Sequence, residues 1–162
     1  MPTVRHVRRG RTSTIAATVA SVIQIVDRLP SPSDYQDLRR AVRWRVPDDA
    51  DTRRALDATV AARCAVEGDH VVGMGRIVGD RAFYLFVVDL VVHPDHQGRQ
   101  LGSRLLADLE AEAARISATG TISVVADLDV AAFYEHRGFE RATSALLTKA
   151  IGPTSGDLPQ EG

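Results

Sequence analysis

The sequence predicts an α/β domain built on one mixed, mostly antiparallel sheet of six to seven strands flanked by helices. Three observations predict it. Between residues 61 and 93 three apolar, β-branched runs follow one another across two- and three-residue turns, which is hairpin spacing. An amphipathic helix, a strand, a short helix and a final strand come next, the alternation that lays helices against a sheet. The chain has 162 residues, 44% apolar and 25% charged, which suits a single globular core.

The elements follow in order. Arg5, Arg8, Arg9 and Arg11 precede the first acid, Asp27, so residues 1–18 read as a basic flexible arm. Thr18, Ser21 and Gln24 interrupt the apolar stretch behind them, which disfavours a leader segment. Ser21 to Val26 alternates and suits a first strand. Ser33 followed by Gln36 has the form of a capping box for a helix over Asp34 to Trp44, with Tyr35, Leu38, Val42 and Trp44 on one side and Arg39, Arg40 and Arg43 facing out. Asp48, Asp49 and Asp51 open a second helix reaching about Val60.

Ala61 to Glu67 and Val71 to Val78 read as strands joined at Gly68-Asp69, and Gly79-Asp80-Arg81 leads into a long strand, Ala82 to His93. Pro94 stops it. Leu101, Leu105, Leu109 and Ala113 recur every four residues, so an amphipathic helix starts at Leu101 and ends before Gly120. Thr121 to Ala126 is a strand, Val130 to Arg137 a helix capped by Asp129 and stopped by Gly138, and Phe139 to Lys149 a last strand. The domain therefore spans 19–150, with a flexible tail at 151–162.

Cys64 is the single cysteine, and no Cys/His set has zinc spacing, so a reduced, cytoplasmic, metal-free protein is expected. The net charge of −1 gives no whole-chain argument for nucleic acid, and no apolar run is long enough to span a membrane. Split by region, residues 1–26 carry four arginines and no acid, while the rest hold 16 basic and 21 acidic residues. The body is mildly acidic, so a polyanion would be held by local groups and not by a global field.

The richest segment runs from Asp89 to Ser103: a strand enters a glycine-containing loop that opens a helix. Unpaired backbone N–H groups and the positive helix end then converge, as an anion requires. Arg99 and Arg104 can add charge-assisted bonds to a phosphate. The spacing is neither that of the Gly-Lys-Ser/Thr phosphate loop nor that of the dinucleotide fingerprint.

Gln97, Gly98, Arg99, Leu101 and Gly102 match motif A of the GNAT N-acetyltransferase superfamily, and the segment resembles it. Gln100 stands where the motif has its first glycine; a Cβ there predicts a right-handed or extended backbone at that residue. Phe133-Tyr134-Glu135-His136-Arg137-Gly138-Phe139 resembles motif B, and Val72-Gly73-Met74-Gly75-Arg76 the third-strand pattern. Tyr35 to Trp44 looks like helix one of small bacterial members. The resemblance covers about residues 20 to 148.

It implies the GNAT fold with strands four and five splayed, acetyl-CoA as co-substrate, no metal, and the primary amine of a small molecule as acceptor. A protein N-terminus or lysine as acceptor, or a non-catalytic acyl-CoA-binding module, are its alternatives. By resemblance, the backbone of Val91, Val92 and His93 pairs with the pantetheine arm. The loop residues Gln97, Gly98, Arg99, Gln100, Leu101, Gly102 and Ser103 cradle the pyrophosphate. A homodimer is compatible with such a protein.

The chemistry adds its own demands. An alkylamine with pKa near 10.4 is roughly 0.04% neutral at pH 7, so a proton must leave before attack. The departing thiolate must then be protonated, and Tyr134, a neutral phenol at pH 7, is the candidate acid. Asp89 is the candidate base; strand alternation places it opposite Leu90 and Val92, and pairing with Arg76 is its structural alternative. Tyr35, Trp44 and Phe83 are candidate pocket walls, while alternation turns Tyr84 and Phe86 away from Phe83.

Overall fold

The computed structural model describes residues 22–143. The expected arm at 1–18, the tail at 151–162 and residues 144–149 of the last expected strand lie outside them. The described residues divide into two compact units, 22–124 and 125–143.

The first unit is a five-stranded sheet in the order β1-β2-β3-β4-β5. The strands are β1 (Gln24–Val26), β2 (Ala61–Glu67), β3 (His70–Gly79), β4 (Tyr84–Val92) and β5 (Thr121–Val124). All neighbours are antiparallel except β4 and β5, which pair in parallel. Five strands among the described residues replace the expected six to seven. The described part of the last expected strand, 139–143, runs in no strand.

The helices are α1 (Pro32–Ala41), α2 (Asp49–Asp57) and α3 (Leu101–Ile116). The expected capping box is shifted. Ser31, not Ser33, caps α1: its hydroxyl accepts from Asp34 N–H at 3.1 Å, and the Asp34 carboxylate accepts from Ser31 N–H at 3.3 Å. Pro32 decides between the two serines, because its missing N–H and fixed φ suit the first helical position. Helix α1 ends before Trp44, since Arg43 turns left-handed (φ 61°). Arg43 N–H then donates to Arg40 O and Trp44 N–H to Arg39 O, a Schellman closure without glycine. Asp48 caps α2 through Asp51 N–H. Helix α3 ends at Ile116 with Ser117 extended, earlier than the Gly120 stop expected.

The sheet is covered on both faces. Tyr35, Leu38 and Leu56 pack with Cys64, Met74 and Val91 beneath α1 and α2. Leu101 and Leu105 of α3 pack on Ala65 and Val72, with Leu90 and Val92 against them. Each buried leucine of this kind stabilises the fold by about 1.5–3 kcal/mol, which is why the four-residue leucine spacing reads so directly as α3.

In the second unit α4 (Ala131–Glu135) is one short turn of helix. Its N-cap is Val130, which makes no side-chain cap; the expected Asp129 cap is absent. Gly138 (φ 86°) does stop it, and Phe139 N–H returns to Tyr134 O.

Candidate active site

The backbone of β4 organises the site. Register runs Phe86↔Val78 and Val88↔Arg76, then Met74↔Val91, so two residues of β4, Asp89 and Leu90, face one of β3. This is a β-bulge, and Asp89 carries its left-handed angle (φ 51°). Directly opposed residues share a face, so Phe86 and Val88 lie on the Arg76 side, and the bulge adds Asp89 to that same α1/α2 face. Leu90 and Val92 face α3, as alternation predicts. Without the bulge, Phe86 and Asp89 would stand on opposite faces.

The Asp89 carboxylate is 10% exposed and accepts four hydrogen bonds. Oδ2 takes the Tyr35 hydroxyl at 3.0 Å, Arg76 Nε at 2.9 Å and Arg76 Nη2 at 2.6 Å. Oδ1 takes Arg39 Nη1 at 2.5 Å. Arg76 spends Nη1 on Ala55 O and Thr59 Oγ1, both at 2.7 Å. Arg39, expected to face outward, instead turns inward at 19% exposure, because a carboxylate and two rings await it there. Its guanidinium sits 5.5 Å from the Tyr35 ring centroid and 5.3 Å from that of Trp44. The Tyr35–Arg39 spacing of four along α1 is the signal that could have found this residue.

Burial and the neighbouring Asp89 charge push the Tyr35 phenol above its ordinary range. Tyr35 and Trp44 therefore join Asp89 as expected, but Phe83 does not. It is exposed, precedes β4, and stands six residues from Asp89, ~20 Å along an extended strand. Phe86, on the Asp89 face and three residues from it, lies closer.

At the other end of β4, His93 N–H donates to Val72 O at 2.8 Å, so it is committed to β3 and not to a ligand. Alternation turns the Val92 amide to the opposite edge, where its carbonyl accepts from Gln97 Nε2 at 3.1 Å. Pairing of β4 with β5 stops at Val87↔Val124, so the β4 edge from Val88 to Val92 has no strand beside it among the described residues. Val91 is buried beneath α1 and α2.

After a 3-10 turn at Pro94–His96, Gly98 (φ 74°) and Gln100 (φ 59°) both take left-handed angles. Gln100 thus corrects the expectation of a right-handed or extended residue. Helix α3 must start with Leu101 buried at 3% exposure, and that anchor offsets the roughly 1–2 kcal/mol cost of a left-handed side-chain residue. The Gln100 side chain makes no capping bond and the first turn holds no acid. Gly102 lies in that turn with Ser103, and Arg99 and Arg104 are exposed beside it, unpaired among the described residues. The end of α3 that faces the loop is open to an anion.

Residues 59–141 match the family model described as an acetyltransferase (GNAT) domain, half of the chain. The chain belongs to the GNAT acetyltransferase family. Over 69 residues it is 38% identical to the uncharacterized N-acetyltransferase ycf52 of Gracilaria tenuistipitata var. liui, covering 43% of this chain and 37% of that protein. Over 70 residues it is 39% identical to the Arabidopsis thaliana GCN5-related N-acetyltransferase 2, chloroplastic, covering 43% of this chain and 27% of the relative. The alignments span about a third of these curated relatives.

Among solved structures, a Streptococcus pneumoniae GNAT family acetyltransferase superposes with TM-score 0.65 at 26% identity, over 83% of this chain and 99% of that one. An aminoglycoside N-acetyltransferase in complex with CoA gives TM-score 0.63 at 15% identity, over 80% and 95%, a likeness of fold. The matched residues include both the α3 loop and Tyr134. Tyr134 stacks edge-on with Phe133 and Phe139 at 5.0 and 5.7 Å, and burial raises its phenol above the ordinary value.

Proposed function

We propose that this GNAT protein transfers acetyl from acetyl-CoA to a primary amine of a small molecule by direct attack. The observation that carries the reading is the open start of α3, reached through left-handed Gly98 and Gln100 and flanked by two exposed arginines, Arg99 and Arg104. A pyrophosphate is an anion that such an end can hold. The aminoglycoside enzyme with bound CoA supports the same co-substrate. In this reading the pantetheine arm lies along the strand-free edge of β4, and Val92 N–H, not His93 N–H, holds the thioester oxygen.

The neutral amine nitrogen bonds to the thioester carbon, the C–S bond breaks, Tyr134 donates its phenolic proton to the departing sulfur, and the proton shed by the new amide nitrogen returns through water to the tyrosinate. A phenol raised by burial stays protonated throughout the neutral range, as a donor must. The Asp89 oxygens are engaged by four donors, so this carboxylate positions Arg39, Arg76 and Tyr35, and the ammonium proton passes to solvent.

Thiol release from acetyl-CoA with a panel of amines tests the reading. Cys64 is fully buried, so it contributes no background in the folded protein. Acetyl-CoA should raise the melting temperature, and Tyr134→Phe should lower kcat by roughly 10²–10⁴ with stability nearly unchanged. Absence of both stabilisation by acetyl-CoA and amine-dependent thiol release would sink the proposal; an unchanged kcat in Tyr134→Phe would remove Tyr134 from it.

A further inference from the structure

The charges around Asp89 are not balanced. Two guanidinium groups share one carboxylate, which leaves one positive charge in excess in a largely buried setting. The acids of α1 and of the first turn of α2 are engaged elsewhere: Asp34 closes the capping box, Asp37 pairs with Arg40, Asp49 accepts the Gln36 amide and Asp51 pairs with Arg54. Arg43 and Arg45, exposed just after α1, add further positive charge.

Every nitrogen of Arg76 donates, to Asp89, Ala55 or Thr59, but Arg39 has one nitrogen left over. Its Nε donates to Arg45 O and its Nη1 to Asp89 and the Tyr35 hydroxyl, while Nη2 has no partner among the described residues. The Tyr35 and Trp44 rings hold the guanidinium in place, so the free Nη2 edge has a fixed direction. A fixed, planar, partly desolvated donor edge is built to recognise a carboxylate. Trp44 and Phe86, each a little over one-third exposed, supply apolar surface on the same side of the sheet.

We propose that Arg39 binds the carboxylate of the acceptor, which is an amino acid with an apolar or aromatic side chain and not a plain alkylamine. The inference rests on the acetyl transfer proposed above. The carboxylate neutralises the excess charge, and the side chain lies against Trp44 and Phe86.

Matched acceptors test it: L-phenylalanine against phenethylamine, and L-leucine against 3-methylbutylamine, members of each pair differing only in the carboxylate. Thiol release is measured at matched concentrations of neutral amine, because basicity also differs within a pair. The acid-bearing member should win by about 10- to 100-fold in kcat/KM, expressed in KM. Arg39→Gln should abolish that preference and Arg39→Lys should restore part of it, whereas a merely structural Arg39 would lower both members alike. Equal kcat/KM within the pairs, or a preference that survives Arg39→Gln, overturns the inference; if that variant does not fold, the comparison in the unaltered protein decides alone. Turnover of the amines only overturns it and leaves acetyl transfer standing. No turnover of any acceptor by protein that acetyl-CoA still stabilises overturns it as well, and failure to bind acetyl-CoA sinks both.

Discussion

Asp89→Asn distinguishes a carboxylate that holds structure from one that takes a proton. The side chain keeps its size and loses its charge, leaving Arg76, 6% exposed, beside a neutral amide whose NH2 faces one of the arginine donors. Removing one partner of a buried ion pair costs about 3–5 kcal/mol. Arg76 retains its bonds to Ala55 and Thr59, and Arg39 is partly solvated, which places the expected loss at the lower end, about 3 kcal/mol. At about 2–4 °C per kcal/mol for a chain of this length, the melting temperature should fall by about 6–12 °C. Urea unfolding followed by circular dichroism measures the loss, and thiol release measures kcat on the same samples. A general base predicts the reverse pattern: stability within about 1 kcal/mol of the unaltered protein and kcat down by roughly 10²–10⁴. A melting temperature within 2 °C of the unaltered protein, on the order of the shift from about 1 kcal/mol or less, would refute the positioning role.

Further outcomes follow from the backbone and the core. Gln100→Gly should raise the urea midpoint, by about 0.5–1 kcal/mol of stability, since relief of the left-handed side chain exceeds the added entropy of the unfolded chain. Gln100→Val should lower the midpoint. Cys64, pushed up to about 11 by burial, should resist alkylation at pH 8 in the folded protein and react promptly in urea. Because folding favours the neutral thiol, its stabilising contribution is complete below the unfolded value of 9.0 and shrinks as pH rises from there towards 11; urea midpoints across pH 8–11 measure it.

What the sequence made legible is what periodicity encodes. Helix α3 follows from leucines four apart, and the β2–β3 hairpin from two apolar runs around Gly68 and Asp69. The turn at the start of α1 did not follow, because two serines flank Pro32 and only the fixed φ of proline selects Ser31. The helical pattern puts Arg39 outward with Arg40 and Arg43, whereas a carboxylate on β4, fifty residues away, turns it in. The site inherited the largest error from one feature with no local signature, the bulge at Asp89. Alternation holds from Asp89 to Val92 and again from Tyr84 to Val88, but the two stretches are out of phase, so parity counted from Asp89 puts Phe83 on its face where the register puts Phe86.

The left-handed residues connect that error to function. Among the described residues, four without glycine's freedom take positive φ: Arg43, Arg81, Asp89 and Gln100. Three of them border the candidate site. Arg43 turns Trp44 back onto Arg39, Asp89 delivers its carboxylate to the Phe86 face, and Gln100 opens the start of α3. At roughly 1–2 kcal/mol each, they cost about 3–6 kcal/mol together, a large share of an ordinary domain's 5–15 kcal/mol. Aspartate tolerates the left-handed region more readily than most residues, which lightens one of the three costs. Burial of Leu101 offsets another, and four hydrogen bonds to Asp89 hold the bulge. Strain of this kind persists only where surrounding contacts over-determine it. Here those contacts lie on both faces of the sheet, Asp89 and its donors beneath α1 and Leu101 beneath α3, so the strain is held by the two halves of the core and not by one local cluster.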